Sequence, residues 1–205
     1  KLMNIGADLL LKTVDGIEAG TLEKISQTDT EAKPARAPEL ASSMLGQHEA
    51  DFVIGPVHSG VAMGMIKVLR GKDTVMIIPN AGAAAATGPL CSPNIFRTSF
   101  SSWQPSYPMG KVALDKGYKD VYLISWNYCM GRESLEAFEE SFEAGGGNVV
   151  KKVLMPFPST NFQPHISDIA AQDPDAVFVF FAEGRSAVSP RRTRYCSGSA
   201  PVSMR

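Results

Sequence analysis

Short apolar runs ended by Gly or Pro alternate with amphipathic stretches along most of this chain, and that alternation restricts the fold more than any other feature. DFVI at 51–54 closes on Gly55-Pro56 and is followed by a helical pattern over 59–70. TVMII at 74–78 closes on Pro79-Asn80, and IFRT at 95–98 leads to a helical pattern over 108–116. A strand over 120–126, a charged helix over 132–144, a strand over 148–155 and a helix over 164–172 follow. Gly145-Gly146-Gly147 stands at the helix end, where a C-cap favours glycine. AVFVFF at 176–181 is the most apolar strand of all. Upstream, the pattern predicts helices over 4–14 and 38–49 and a weak strand over 22–27. Strands alternating with helices of about 10 to 15 residues form βαβ units around parallel sheets. The expected class is α/β, with parallel sheets flanked by helices.

Two hundred and five residues suit one large domain or two small ones. Hydrophobic residues at 44% and charged residues at 20% exclude a disordered chain. Twenty basic against 21 acidic side chains leave no basic excess, so nucleic acid is not the expected partner. No apolar run approaches the length of a spanning helix, so direct membrane insertion is not expected either. The N-terminus has no basic-then-apolar leader, which means either that export is not used or that a leader has been removed. Cys91, Cys129 and Cys196 form no metal-binding spacing, and His48, His58 and His165 are scattered. Neither a metal nor a cofactor is expected.

Ligands of open parallel sheets gather at the carboxyl ends of the strands. Four loops meet that condition: GPVHSG at 55–60, PNAGA at 79–83, WNYCMG at 126–131 and AEGR at 182–185. Ser59, a hydroxyl at a helix N-cap beside Gly60, offers free N–H groups and the positive end of a helix dipole, which suits a carboxylate. The same pattern also fits a cap with no ligand. Gly82 permits a close approach of the backbone to another molecule, or an ordinary turn. Trp126 and Tyr128 are either half of an aromatic clamp or simple packing. Arg97 and Arg185 could each hold a carboxylate through a guanidinium fork, or lie solvated on the surface. Glu133, Glu136, Glu139, Glu140 and Glu143 read as a solvated helix face. With no GxSxG elbow, Walker loop or HExxH, and no nucleophile–base pair, catalysis finds no support and a binding function is left.

Taken together, DFVIGPVHSGVAMGMIKVL, IIPNAGAAAATGPLCSPNIFRTSFSSWQPSYPMGKVALDKGYKDVYLISW and GGGNVVKKVLMPFPSTNFQPHISDIAAQDPDAVFVFFAEG resemble the type I periplasmic binding proteins of branched-chain amino acid (Liv-type) ABC transporters. GPVHSG, PNAG, CSPNIFRTSFSSWQP and YPMGK are most similar to the branch that takes up aromatic carboxylates. The resemblance implies two Rossmann-like lobes closing on a ligand as a clamshell, with residues 1–105 in the first and 106–188 in the second. It further implies that Ser59 and Gly60, beside His58, hold a ligand carboxylate. Asn80, Ala81 and Gly82 would line the first wall, with Phe100 and Trp103 at its rim. Trp126, Tyr128 and Met130 would supply the aromatic lid, opposite a loop containing Glu183. PNAGA lacks the Thr usual in amino-acid binders of the family, which favours a ligand without an amine, while Glu183 keeps an amino acid open. The implied partners are a small carboxylate, either an aromatic acid or a branched-chain amino acid, and an ABC transporter permease, in the periplasm.

Against the family pattern the chain begins after the customary first strand and ends soon after AVFVFF, so both lobes are expected to be incomplete. Residues 189–205 hold four of the nine arginines and no acid, which reads as a frame-shifted tail. A ligand-sensing domain, a sheet-based enzyme and a truncated remnant that closes no site are the other readings.

Overall fold

The computed structural model describes residues 28–181. The helix expected over 4–14, the strand over 22–27, the 182–185 loop with Glu183 and Arg185, and the tail over 189–205 lie outside the described residues. Two separate three-stranded sheets organise the rest. β1 (Phe52–Ile54), β2 (Val75–Ile78) and β3 (Ile95–Arg97) run parallel in the order β1-β2-β3. β4 (Asp120–Trp126), β5 (Asn148–Met155) and β6 (Ala176–Phe180) run parallel in the order β5-β4-β6.

In the first sheet the strand period of two sorts the side chains. Val53, Met76, Ile78 and Ile95 are buried beneath α1 (Ala37–Gly46) and α2 (Ser59–Leu69), with Ala41, Val61, Met65, Ile66 and Leu69 in the same core. The two helices approach closely because Gly64 faces Ala37, where an added Cβ would lie 2.7 Å from the Ala37 Cβ. Phe52, Ile54 and Phe96 occupy the opposite face, aligned through Ile77 in the register, and are each more than half exposed.

β4 is the axis of the second sheet, and six consecutive residues, 121–126, are buried. Val121 and Leu123 face a core with Ala113 of α3 (Trp103–Asp115) and Leu135, Phe138 and Phe142 of α4 (Cys129–Ala144). Tyr122, Ile124 and Trp126 face the other way, with Ile169 of α5 (Gln163–Gln172) packed on their cluster. Burying one Leu or Phe side chain of this kind contributes about 1.5–3 kcal/mol. Gly110 brings α3 onto α4, since a Cβ there would sit 2.6 Å from the Phe142 backbone nitrogen. Tyr122 Oη donates to Asp168 Oδ2 at 2.6 Å, and Lys151 pairs with the same carboxylate at 2.7 Å, fastening α5 to the sheet.

Two helices begin earlier than apolar periodicity predicts. α3 starts at Trp103 and contains Pro108, where 108 is the expected start, because Gln104 Oε1 accepts the Ser101 N–H at 2.8 Å and fixes the first turn. Pro105 stands in that turn, where a missing N–H leaves no helical bond unmade. α4 starts at Cys129, three residues before the expected 132, with Tyr128 as its N-cap.

Candidate functional site

The loop after β1 is held from both ends. Gly55 has φ +133°, a region that side chains avoid, and its N–H donates to Ile77 O at 3.0 Å. Pro56 O accepts the Ala81 N–H at 3.2 Å, tying this loop to the one after β2. The cap of α2 is His58 and not Ser59: the backbone is extended at His58, and its Nδ1 accepts the N–H of Gly60 at 3.1 Å and of Val61 at 3.3 Å. The Gly60 N–H expected for a carboxylate is thus taken up by the cap. A Cβ on Gly60 would lie 2.9 Å from Pro34 and 3.0 Å from the His58 ring, so glycine leaves room for the imidazole to fold over the helix start. Ser59, one residue inside the helix, is 1% exposed.

The carboxyl ends of the second sheet face this loop. The Tyr128 ring lies 5.4 Å from the His58 ring, and Phe157, just beyond β5, lies 5.5 Å from His58 and 5.2 Å from Tyr128. Trp126 meets Phe157 edge-on at 5.3 Å and Phe181 at 4.9 Å, while its Nε1 donates to Ser159 O at 2.8 Å. Residues 31–36 and Phe157-Pro158 line an open groove beside the cluster. His58 Nε2, Ser59 Oγ and Tyr128 Oη are buried and have no hydrogen-bond partner among the described residues, and the same holds for Arg97 Nε and Ser134 Oγ. Buried polar atoms in native proteins are nearly always satisfied, and His58 and Tyr128 stand ring beside ring, so their pair marks a place where chemistry from outside the chain fits. Burial lowers the His58 pKa, so the ring stays neutral. Burial, and then Cys129, raises the Tyr128 phenol, while burial followed by Glu133 pushes the Cys129 thiol up to about 12. The cluster therefore offers neutral hydrogen-bonding groups in an aromatic wall.

The other residues singled out in the sequence take varied places. Ala81 and Gly82 are buried and Asn80 is exposed. Gly82 makes its close approach to the chain itself, with a Cβ 3.0 Å from Ser102 Oγ, and its carbonyl accepts from Ser102 N at 2.8 Å and Oγ at 2.9 Å. Arg97 Nη1 donates to Ala83 O at 2.8 Å. Phe100 is exposed, and Met130 is half-buried in the first turn of α4. Trp103 stacks on Tyr107 at 4.2 Å and donates to Glu140 at 3.3 Å, which places it along the α3–α4 pair. The acidic face of α4 is less solvated than the sequence suggests, since Glu139 pairs with Lys152 and Glu133 accepts from Ala84 N. Phe157 was not among the expected residues, although it follows a strand end and the rule that singled out the other loops applies to it. Among the described residues no three His, Cys, Asp or Glu side chains gather as a metal site, and no helix is long and apolar enough to cross a membrane.

Two parallel α/β sheets meeting at the carboxyl ends of their strands define a two-lobed binding protein of type I architecture. Residues 1–189 match the family described as periplasmic binding protein, and the chain belongs to that family. It is 30% identical over 164 residues to Leu/Ile/Val-binding protein homolog 6 of Brucella abortus (strain 2308), covering 80% of this chain and 42% of the relative. An ABC transporter solute-binding protein of R. palustris, crystallised with benzoate, is similar at TM-score 0.80 and 38% identity, over 86% of this chain and 49% of that one. A second, from Rhodopseudomonas palustris HaA2 and in complex with p-hydroxybenzoic acid, is similar at TM-score 0.72 and 31% identity, over 78% of this chain and 43% of that one. The chain spans about half the length of these relatives, or less.

Proposed function

We propose that this chain belongs to a periplasmic solute-binding protein that captures a small aromatic carboxylate between two lobes and delivers it to an ABC transporter permease. Three buried polar atoms without a partner among the described residues carry this reading: His58 Nε2 and Ser59 Oγ from the first lobe, and Tyr128 Oη from the second. They offer hydrogen bonds to a carboxylate or ring oxygen, while Tyr128, Phe157 and Trp126 offer faces and edges to an aromatic ring. The lobes are residues 1–105 and 106–188, and closure is a shift in their open–closed equilibrium driven by a ligand that touches both. Capture needs no bond-making, so the protein acts as a binder and not as an enzyme. The complexes of similar proteins with benzoate and p-hydroxybenzoic acid support the ligand class.

A branched-chain amino acid is the second reading, favoured by the name of the Brucella relative. Thermal melts of the chain with benzoate, 4-hydroxybenzoate, a phenylpropanoid acid and leucine in turn separate the two. A ligand that binds only the folded state raises the melting temperature. We expect the aromatic acids to do so and leucine not to, and a rise with leucine alone would overturn the proposal.

A further inference from the structure

Gly60 N and Val61 N can only donate, so His58 Nδ1, which both bonds reach, carries the ring's lone pair. The single proton of the neutral imidazole then resides on Nε2. That nitrogen is buried with no acceptor among the described residues, in a ring flanked by Tyr128 and Phe157. We infer that His58 is a tautomer-locked donor, which takes an oxygen of the ligand at Nε2 and rejects an ammonium group there. This deepens the aromatic-acid reading and rests on it.

The lock follows from the cap. Moving the proton to Nδ1, or turning the ring over, would break both bonds to the start of α2, and protonating both nitrogens would set an N–H against two N–H groups. Burial acts in the same direction, disfavouring the charged ring. The hydroxyls of Ser59 and Tyr128 can rotate to donate or accept, whereas a locked ring nitrogen cannot. An ammonium group placed against it would leave two donors facing each other out of water, which is specificity by exclusion. The donor accepts a carboxylate from either ligand class, and it excludes only a pose that sets an ammonium group against Nε2.

Two measurements test the inference on the chain as it stands. Long-range proton–nitrogen NMR with labelled histidine should show an unprotonated Nδ1 and a protonated Nε2 at neutral pH, with the Nε2 signal moving when benzoate is added. A proton on Nδ1 overturns the lock. His58→Asn keeps a side-chain oxygen able to cap the helix and loses the ring donor. Its melting temperature should stay near that of the wild type while calorimetric affinity for benzoate falls about tenfold or more. Wild-type benzoate binding with an equally tight variant overturns the inference alone. A wild type that binds no aromatic acid brings down the reading beneath it, and the inference with it. A variant that fails to fold leaves the decision to the NMR tautomer and to the benzoate-induced movement of Nε2, whose absence in a wild type that binds benzoate also counts against it.

Discussion

Glu133 on α4 accepts the backbone N–H of Ala84 through both carboxylate oxygens, at 3.0 and 3.2 Å. Ala84 opens the short helical turn after β2, so one side chain joins the body of the first sheet to the body of the second. A charged acceptor makes this bond stronger than a neutral one would be. Because the contact lies between the bodies and outside either core, Glu133→Ala should leave the melting temperature almost unchanged. It should weaken benzoate binding severalfold, measured by calorimetric titration. An unaltered affinity would show that the contact adds nothing to the ligand-holding arrangement.

Ser59→Ala should act with opposite signs on fold and ligand. The buried Oγ has no partner among the described residues, so its removal relieves an unmet hydroxyl and leaves stability equal or up to about 1 kcal/mol higher. Affinity for an aromatic carboxylate should fall by about 1–3 kcal/mol, the worth of a hydrogen bond to a charged group. Denaturant unfolding and calorimetry read the two effects separately, and unchanged affinity removes Ser59 from the site.

Gly131, in the first turn of α4, is pressed against the end of β4. A Cβ there would lie 2.2 Å from the Trp126 carbonyl oxygen and 2.5 Å from Ser125 Oγ. The same carbonyl accepts the Tyr128 N–H at 2.9 Å, so relief of the clash also displaces Tyr128. Gly131→Ala should cost about 3 kcal/mol in urea unfolding. A neutral substitution would contradict the packing described.

Acid should destabilise the protein in two stages. Hydrogen bonds from Lys151 and then Tyr122 hold Asp168 below the usual carboxylate range, and the backbone N–H groups of Lys119 and Asp120 do the same for Asp175. A depressed carboxyl stabilises the fold above its unfolded pKa of about 3.9, and this is lost as pH falls through the folded value. His58 is also depressed, by burial, so its neutral form is favoured on folding. That contribution is complete above the unfolded value of about 6.5 and disappears as pH falls below it toward the folded value. Tyr128, packed on His58, has its phenol raised and stays neutral throughout. Melts on acidification should show a first decline below about pH 6.5 that His58→Asn abolishes, and a second below about pH 4 that Asp175→Asn reduces.

Burial decided which elements could be read in the sequence. β4 occupies the expected 120–126, because a strand paired on both edges and covered on both faces must be apolar on most positions. β5 and β6 at its edges occupy 148–155 and 176–180, close to the expected ranges. The start of α3 depends on one side chain, Gln104, bonding back to Ser101, which periodicity does not register. His58 and Ser59 can both cap a helix, and the choice between them is made by the extended backbone at His58, within a loop held by Gly55 and Pro56. Trp126 and Tyr128 stood out as aromatics at a strand end, but Phe157 acquires meaning only when packing brings it to His58 of the other sheet. Glu133 looks like any solvated acid until Ala84 is found beside it.

β4 is bonded along both edges and covered on both faces, from Val121 to Trp126. Its amides reach solvent only when the whole sheet comes apart, so their exchange with deuterium reports global unfolding. β1 is paired on one edge among the described residues, and Phe52 and Ile54 stand exposed beside that edge. In a deuterium-uptake experiment the label should therefore enter β1 through local opening and reach the centre of β4 last, giving the two sheets separate clocks within one chain.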